Sequence, residues 1–396
     1  MTGPLDGITV LDFTRVLSGP YCTMQLADMG ARVIKIEHPG KGDDTRAWGP
    51  PFVGSESAYF LSINRNKESF TLDLKAPGAR RVLDALLDKA DVLVENFRPG
   101  TMERLSLDYE MLKGRYPRLV YCSISGFGQT GPRRKEAGYD AVMQAEGGLM
   151  SITGGPEGPA YRLGVAISDV AAGMFATQGI GFALFARERS GLGQNVDIAM
   201  LDTTSALLTY QAGIYFATGT TPPRMGNRHP TIVPYETLEA SDGEFVVAVG
   251  NDDQFRRFCQ VLGIPEAGTD ARFATNRARV ANYSELRGIL SNELANRTRG
   301  EWVGLLKAAG VPCGSVRAVA ETLEDPQLAA RDMIKELEHA TVGTIRVLGV
   351  PIKLSETPGA VRTAPPMLGQ HTDSILEELG FSAGEVETLR NERTIG

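Results

Sequence analysis

The chain has 396 residues, 42% of them hydrophobic and 22% charged, and a formal net charge of −7. That length allows two or three domains around a sizeable core, in a composition ordinary for a soluble globular protein. Net acidity without a basic block argues against nucleic acid as a partner, and four scattered cysteines (Cys22, Cys122, Cys259, Cys313) read as reduced thiols in a cytoplasmic setting.

The first forty residues read as a βαβ unit. Ile8–Phe13 is an apolar run, Ser18-Gly-Pro20 starts a helix, Gly30 stops it, and Ala31–Glu37 is a second strand. The opening Met1–Gly7 has neither a basic start nor an apolar run, so no signal peptide is expected. The alternation repeats through strand 69–74, helix 78–89, strand 92–96, a helix near Met102 and strand 119–125. The prediction is an α/β fold: a large, doubly wound, Rossmann-like domain with a largely parallel sheet. Its first turn, Thr14-Arg-Val-Leu-Ser-Gly-Pro20, lacks the Gly-x-Gly-x-x-Gly fingerprint, which disfavours a nicotinamide cofactor.

A helix is predicted from Val170 to about Arg187. It is uncharged until its end and is expected to be buried; Thr177, Gln178 and its glycines mark it as a core helix and not a membrane span. Strand 195–199 and a long helix over 201–218 follow, and the Pro/Gly-rich stretch 220–230 breaks the periodicity as a domain boundary does. Strand 243–250 and helices near 253–262, 282–296 and 299–309 suggest a smaller α+β domain. The predicted organisation is a large domain from 1–200 and 346–396, a small domain from 226–325, and linkers at 201–225 and 326–345.

Chemistry has few places to reside. The four histidines are isolated and give no metal-ligand pair, and neither a Gly-x-Ser-x-Gly elbow nor a phosphate-binding Walker loop occurs. Asp169 is a lone carboxylate where an apolar run turns into the small-residue helix. It reads either as a helix-starting acid held by free N–H groups or as a carboxylate nucleophile. Arg15, Lys35, Lys41, Arg46, Lys75, Arg98, Arg104 and the Arg133-Arg-Lys135 loop are candidate phosphate partners. Each alone also reads as a surface charge; those at strand-to-helix turns (Arg15, Lys75, Arg98) stand out. In Asn96-Phe-Arg-Pro-Gly100, Phe97 could stack on a flat ring.

Several long segments carry a family resemblance: Pro4–Phe13, Gly30–Glu37, Gly42–Arg46, Asn64–Lys67, Asp91–Phe97, Gly126–Pro132 and Leu368–Thr372. The chain resembles the class III coenzyme A transferases along nearly its whole length. Asp169 matches the family's catalytic aspartate, so the resemblance implies covalent catalysis through a mixed anhydride and an aspartyl-CoA thioester. It also implies CoA contacts at Val16, Leu17, Ser18, His38, Leu72, Lys75, Asn96, Phe97, Arg98, Arg104, Gly138, Tyr139 and Asp140, with Trp48 and Tyr59 near the acyl group. No permanently bound cofactor is implied: CoA and acyl-CoA are substrates. An interlocked homodimer, without a membrane partner, is the implied assembly.

Asp43–Ser57, Ala137–Asp140 and Ile232–Tyr235 resemble most the branch that moves CoA from succinyl-CoA to glutarate. A dicarboxylate acceptor needs a cation for its far carboxylate, and Arg46, Arg228 and His229 are the candidates, with Arg15 also in the substrate pocket; Arg46 reads equally as a member of a structural ion pair. Formyl-CoA transferases close their site with consecutive glycines. Gly250-Asn-Asp-Asp-Gln-Phe255 stands here instead, against a formyl or oxalyl substrate. Two other readings stay open. An α-methylacyl-CoA racemase would place a His-Asp pair where this chain has Tyr139-Asp140, and a tyrosine of ordinary pKa is a poor acid/base partner. A catalytically silent acyl-CoA-binding protein is the second.

Overall fold

The computed structural model describes residues 3–396. They form two compact units: residues up to 149 with 162–213 and 326–396, and residues 150–161 with 214–325.

The first unit is built on six parallel strands: β1 (Thr9–Asp12), β2 (Arg32–Glu37), β3 (Lys67–Thr71), β4 (Val92–Glu95), β5 (Val120–Ser125) and β6 (Asn195–Ala199). Their spatial order is β3-β2-β1-β4-β5-β6. This is the doubly wound order, and it reverses between β1 and β4, where open α/β sheets bind ligands beyond the strand ends. Apolar strand residues such as Val10, Leu11, Val33, Ile34, Leu93 and Val94 are buried, as parallel strands covered on both faces must be.

Three helices position the site. The first, α1 (Ser18–Asp28), follows β1; α2 (Asp140–Glu146) follows the loop after β5; α3 (Ile167–Ser190) leads to β6. Ala171, Ala172, Ala176, Ile180 and Ala183 of α3 are buried, and Gly173 lies at its crossing with α1. A Cβ at Gly173 would stand 2.6 Å from Ser18 O, so only glycine lets the helices approach this closely. Long and apolar enough to cross a membrane by composition, α3 is buried along this stripe but exposes Phe182 and Phe185 on its other side. The expectation of a wholly buried helix therefore holds for one face.

The expected long helix 201–218 is two helices, Met200–Ala206 and Thr209–Thr218, broken where Thr209 takes φ +42°. Residues 326–345 hold a short helix (Pro326–Ala330) and much of a hairpin (Ile334–His339 with Gly343–Leu348). A C-terminal helix, Ala383–Asn391, and the residues after it add Leu389 and Ile395 to the core that holds Leu11, Phe13 and Ile34.

The second unit has a three-stranded antiparallel sheet, with Gly243–Ala248 between Tyr235–Ala240 and Cys313–Ser315. Helices Asp252–Leu262, Tyr283–Leu294 and Arg299–Ala308 pack Phe255, Phe258, Leu286, Leu290 and Trp302 into its own core.

Candidate active site

Asp169 occupies the first turn of α3 without capping it. The N-cap, Ala166, makes no side-chain bond; Asp140, from α2, accepts the Ser168 N–H at 2.9 Å in its place. The helix-starting role that Asp169 could have filled thus falls to another carboxylate. Asp169 lines the same cleft as Ser18 at the N-terminus of α1, near enough for the Ser18 hydroxyl and backbone N–H to favour its ionised form. That helix also lacks a side-chain cap of its own, so an anion there meets unpaired donors and the positive end of the dipole. Burial, and then the charge of Asp140, push the Asp169 carboxyl up to about 7, against the pull of the Ser18 donors.

The turn carrying those donors is strained. Val16 has φ +71°, an outlier for a β-branched side chain that costs about 1–3 kcal/mol.

Asp169, Val16, Ser18, Arg98, Gly138 and Tyr139 line one cleft, together with Asn96 and Phe97 from the turn after β4. A second cleft of about 560 Å³ shares Arg15, Asp44, Phe97 and Arg98 with the first, and adds His38, Lys41, Leu72, Lys75 and Arg104. The pair is polarised: cations gather in the second cleft, and a half-buried carboxylate waits at the end of the first. A long molecule with phosphates at one end and an electrophilic carbonyl at the other matches that gradient. Gly138 lies against Gly126, where a Cβ on either would meet the other's backbone within 2.7 Å.

The profile of CoA-transferase family III matches residues 5–372. The chain belongs to that family. Mouse succinyl-CoA:glutarate CoA-transferase is 42% identical over 387 residues, covering 98% of this chain and 89% of the mouse protein. Acetyl-CoA:oxalate CoA-transferase of Acetobacter aceti is 46% identical over 392 residues, covering 97% of each. A solved structure of a CAIB/BAIF family protein from Brucella suis superposes with a TM-score of 0.85, at 42% identity over 96% of this chain and 100% of that one. This chain is a class III CoA-transferase, a family that acts on CoA thioesters.

Several residues singled out in the transferase sequence stand elsewhere than expected. Arg46 is not free for an acceptor: its guanidinium bonds Glu37 at 2.7 and 2.8 Å and Pro366 O at 3.1 Å, and lies over Phe60. Lys35 is no phosphate partner. Its side chain is fully buried, bonding Thr14 O at 2.8 Å and pairing with Asp43 at 2.9 Å. Asn96 spends its amide on Arg15, accepting that residue's N–H at 2.9 Å and donating to its carbonyl at 2.7 Å.

Arg15 itself reaches Asp44 at 3.4 Å and lies 5.2 Å from the Phe97 ring. Leu17 is the N-cap of α1. Trp48 meets Tyr59 edge-on at 5.3 Å, and the Tyr59 phenol is pushed up to about 12 by burial and then by the charges of Asp169 and Asp140. His38 and Lys75 are exposed, and Arg104 bonds Thr101 Oγ1.

Arg228 and His229 belong to the second unit. There Arg228 stacks 4.1 Å from the Tyr283 ring, and His229 Nδ1 accepts the Thr231 N–H at 3.2 Å. Asn251, where glycines close the site in formyl-CoA transferases, caps the helix Asp252–Leu262.

Reading the sequence missed Gln144 and Asp43. Fully buried Gln144 donates to Asp140 Oδ2 at 2.8 Å and accepts the Leu163 N–H at 2.8 Å, tying α2 to the strand of chain that leads into Asp169. A buried glutamine one helical turn after Asp140 was its one local signal.

Proposed function

We propose that the enzyme moves CoA from succinyl-CoA to a dicarboxylate, with glutarate the foremost acceptor, and that Asp169 is the nucleophile. The observation that carries this reading is the placement of Asp169 at the switch-point cleft, beside Ser18 and relieved of any capping duty. In the proposed sequence the carboxylate attacks the thioester carbonyl, giving a succinyl-aspartyl anhydride and CoA thiolate. The thiolate then attacks the aspartyl carbonyl, releasing succinate and leaving an aspartyl-CoA thioester. Glutarate attacks that thioester, and the freed thiolate takes the glutaryl group from the second anhydride, restoring Asp169.

The attack by Asp169 requires its ionised form, and a carboxyl near 7 is ionised over the upper half of the neutral range. The phosphates of CoA are assigned to His38, Lys75, Arg98 and Arg104, whose cleft opens onto that of Asp169. A fork for the acceptor's far carboxylate is assigned to Arg15, since Arg46 is bound to Glu37. Relatives of similar identity are named for glutarate and for oxalate, so oxalate belongs in the acceptor screen although the glycine run is absent. A homodimer is proposed as well; what supports it is the apolar face of α3 that the single chain leaves uncovered at Phe182 and Phe185.

The test is intact-protein mass spectrometry after incubation with succinyl-CoA and trapping with hydroxylamine or borohydride, for wild type and Asp169→Ala. An adduct that needs Asp169, with CoA passed to glutarate or oxalate, supports the reading and ranks the acceptors. Absence of adduct and transfer, with deuterium exchange at C2 of a branched acyl-CoA, would make the chain a racemase. Binding of acyl-CoA without either reaction would make it a silent binder.

A further inference from the structure

The turn from β1 into α1 is tied down from three sides. Lys35 Nζ donates to Thr14 O at 2.8 Å, and Asn96 grips both backbone groups of Arg15. The N–H of Val16 donates to Asp43 Oδ1 at 3.2 Å, and Asp43 Oδ2 stands 2.9 Å from Lys35 Nζ. Asp43 Oδ1 also takes the N–H and hydroxyl of Thr45, at 2.9 and 2.8 Å. Both side chains of the Asp43–Lys35 pair are fully buried. Two residues beyond the strained Val16 comes Ser18, and Val16, Ser18 and Asp169 line one cleft.

A buried ion pair is a poor device for stability alone, because desolvation offsets most of its attraction. A strained backbone, in turn, persists only where its surroundings over-determine it. Here the costly pair lies directly against the strained residue, and the strained residue sets the direction of the peptide that leads to Ser18. The geometry points to Asp43 as a positioning residue for Asp169: paired to Lys35, it holds Val16 left-handed so that Ser18 presents its donors to the carboxylate. This rests on Asp169 being the nucleophile.

Other charges frame both ends of the device. Lys35 also faces Asp12, Glu37 and, through Asp12, Lys67. Asp169 faces Asp140 and Tyr59. Tyr59 and Lys67 also feel the charge of Asp43, and that electrostatic change is the same with Val16 or glycine at position 16, so the difference between the two backgrounds reads the turn.

The experiment is a double-mutant cycle with Asp43→Asn and Val16→Gly, following formation of the Asp169 thioester from succinyl-CoA by quenched mass spectrometry across a pH series. Asparagine offers one acceptor oxygen, so either Lys35 or the Val16 N–H loses its partner. With Val16 present, Asp43→Asn is expected to slow thioester formation about tenfold and to move the acid limb to higher pH, because Asp169 loses donors that favour its ionised form. With Val16→Gly present, the same change is expected to cost less than about threefold, since glycine takes a positive φ without being held.

Equal losses in the two backgrounds, or an acid limb that does not move, overturn the positioning role. Should Asp43→Asn fail to fold, Asn96→Ala enters the same cycle with the same expectation, because it removes the grip on Arg15. An adduct in wild type with equal losses overturns only this inference. No adduct in wild type removes the nucleophile and the positioning role together.

Discussion

Asp12 and Asp169 are aspartates at the same end of one sheet, and their surroundings treat them oppositely. Burial alone would push Asp12 up, yet Lys67, Lys35 and the hydroxyls of Thr14 and Thr23 hold it well below the usual carboxylate range. Lys67 reaches it at 3.1 Å and Thr23 at 2.7 Å. Asp169 is pushed up to about 7 by burial and by a second carboxylate, with a single serine in opposition. Around the ends of β1 and β2 three carboxylates each have a cation: Asp12 with Lys67, Asp43 with Lys35, Glu37 with Arg46. Beside α3 two acids face each other. Complete pairing makes a scaffold, and withheld pairing in a cleft marks Asp169 as the candidate for reaction.

The largest effect should come from removing the unpaired member. Asp169→Ala is expected to lower CoA transfer at least about a thousandfold while thermal unfolding stays cooperative, because the proposed covalent route is lost with the carboxylate. Transfer at wild-type rate would move the chemistry to another residue. The paired member should behave in the reverse manner. Asp12→Ala leaves Lys67 and Lys35 buried without their shared anion, and should lower stability by about 3–5 kcal/mol in urea denaturation. A loss under about 1 kcal/mol would mean the network reorganises and the contrast between the two aspartates is not one of pairing.

The scaffold half of this contrast was legible in the sequence only as secondary structure. Apolar runs punctuated by Gly30 and the Ser18-Gly-Pro20 start give the βαβ order because strand and helix periodicities are local properties. The phosphate role of Lys35 fails, and the choice for Arg46 between acceptor cation and structural ion pair stays open in the sequence, for the opposite reason. Lys35 sits in a strand whose neighbours are apolar, and whether its ammonium meets Asp43 or solvent depends on a loop eight residues on. Arg46 meets Glu37 and Pro366, and the second is 320 residues away. Asp169 could be placed by its segment and by family likeness. That Asp140 would cap α3 in its stead could not, since the Ser168 contact joins positions 28 apart on different elements.

A smaller effect tests the charge on Asp169 from the side of stability. Its carboxyl is raised in the folded protein, so the native state binds more protons than the unfolded chain between the ordinary aspartate pKa and about 7. Its contribution to stability is therefore present at acid pH and lost as pH rises through that window. Asp169→Asn, neutral at every pH, should be more stable than wild type by about 1–3 kcal/mol at pH 8, with the difference fading toward pH 4. Thermal unfolding at the two pH values decides it, and an unchanged difference would mean that the asparagine acts through packing.

The finest test separates the two causes of that shift. In Asp140→Asn the Oδ1 that accepts the Ser168 N–H is kept, so α3 retains its cap, while the negative charge facing Asp169 is removed. Gln144 loses its acceptor at Oδ2 and stays bound to the Leu163 N–H. With burial left as the sole upward influence, the Asp169 carboxyl should fall, and the acid limb of thioester formation should move down by about half a unit to one unit. A limb that stays in place would show that burial alone holds the carboxyl up. The Asp169 cleft would then differ from the Asp12 network by its missing cations, with no part played by a second acid.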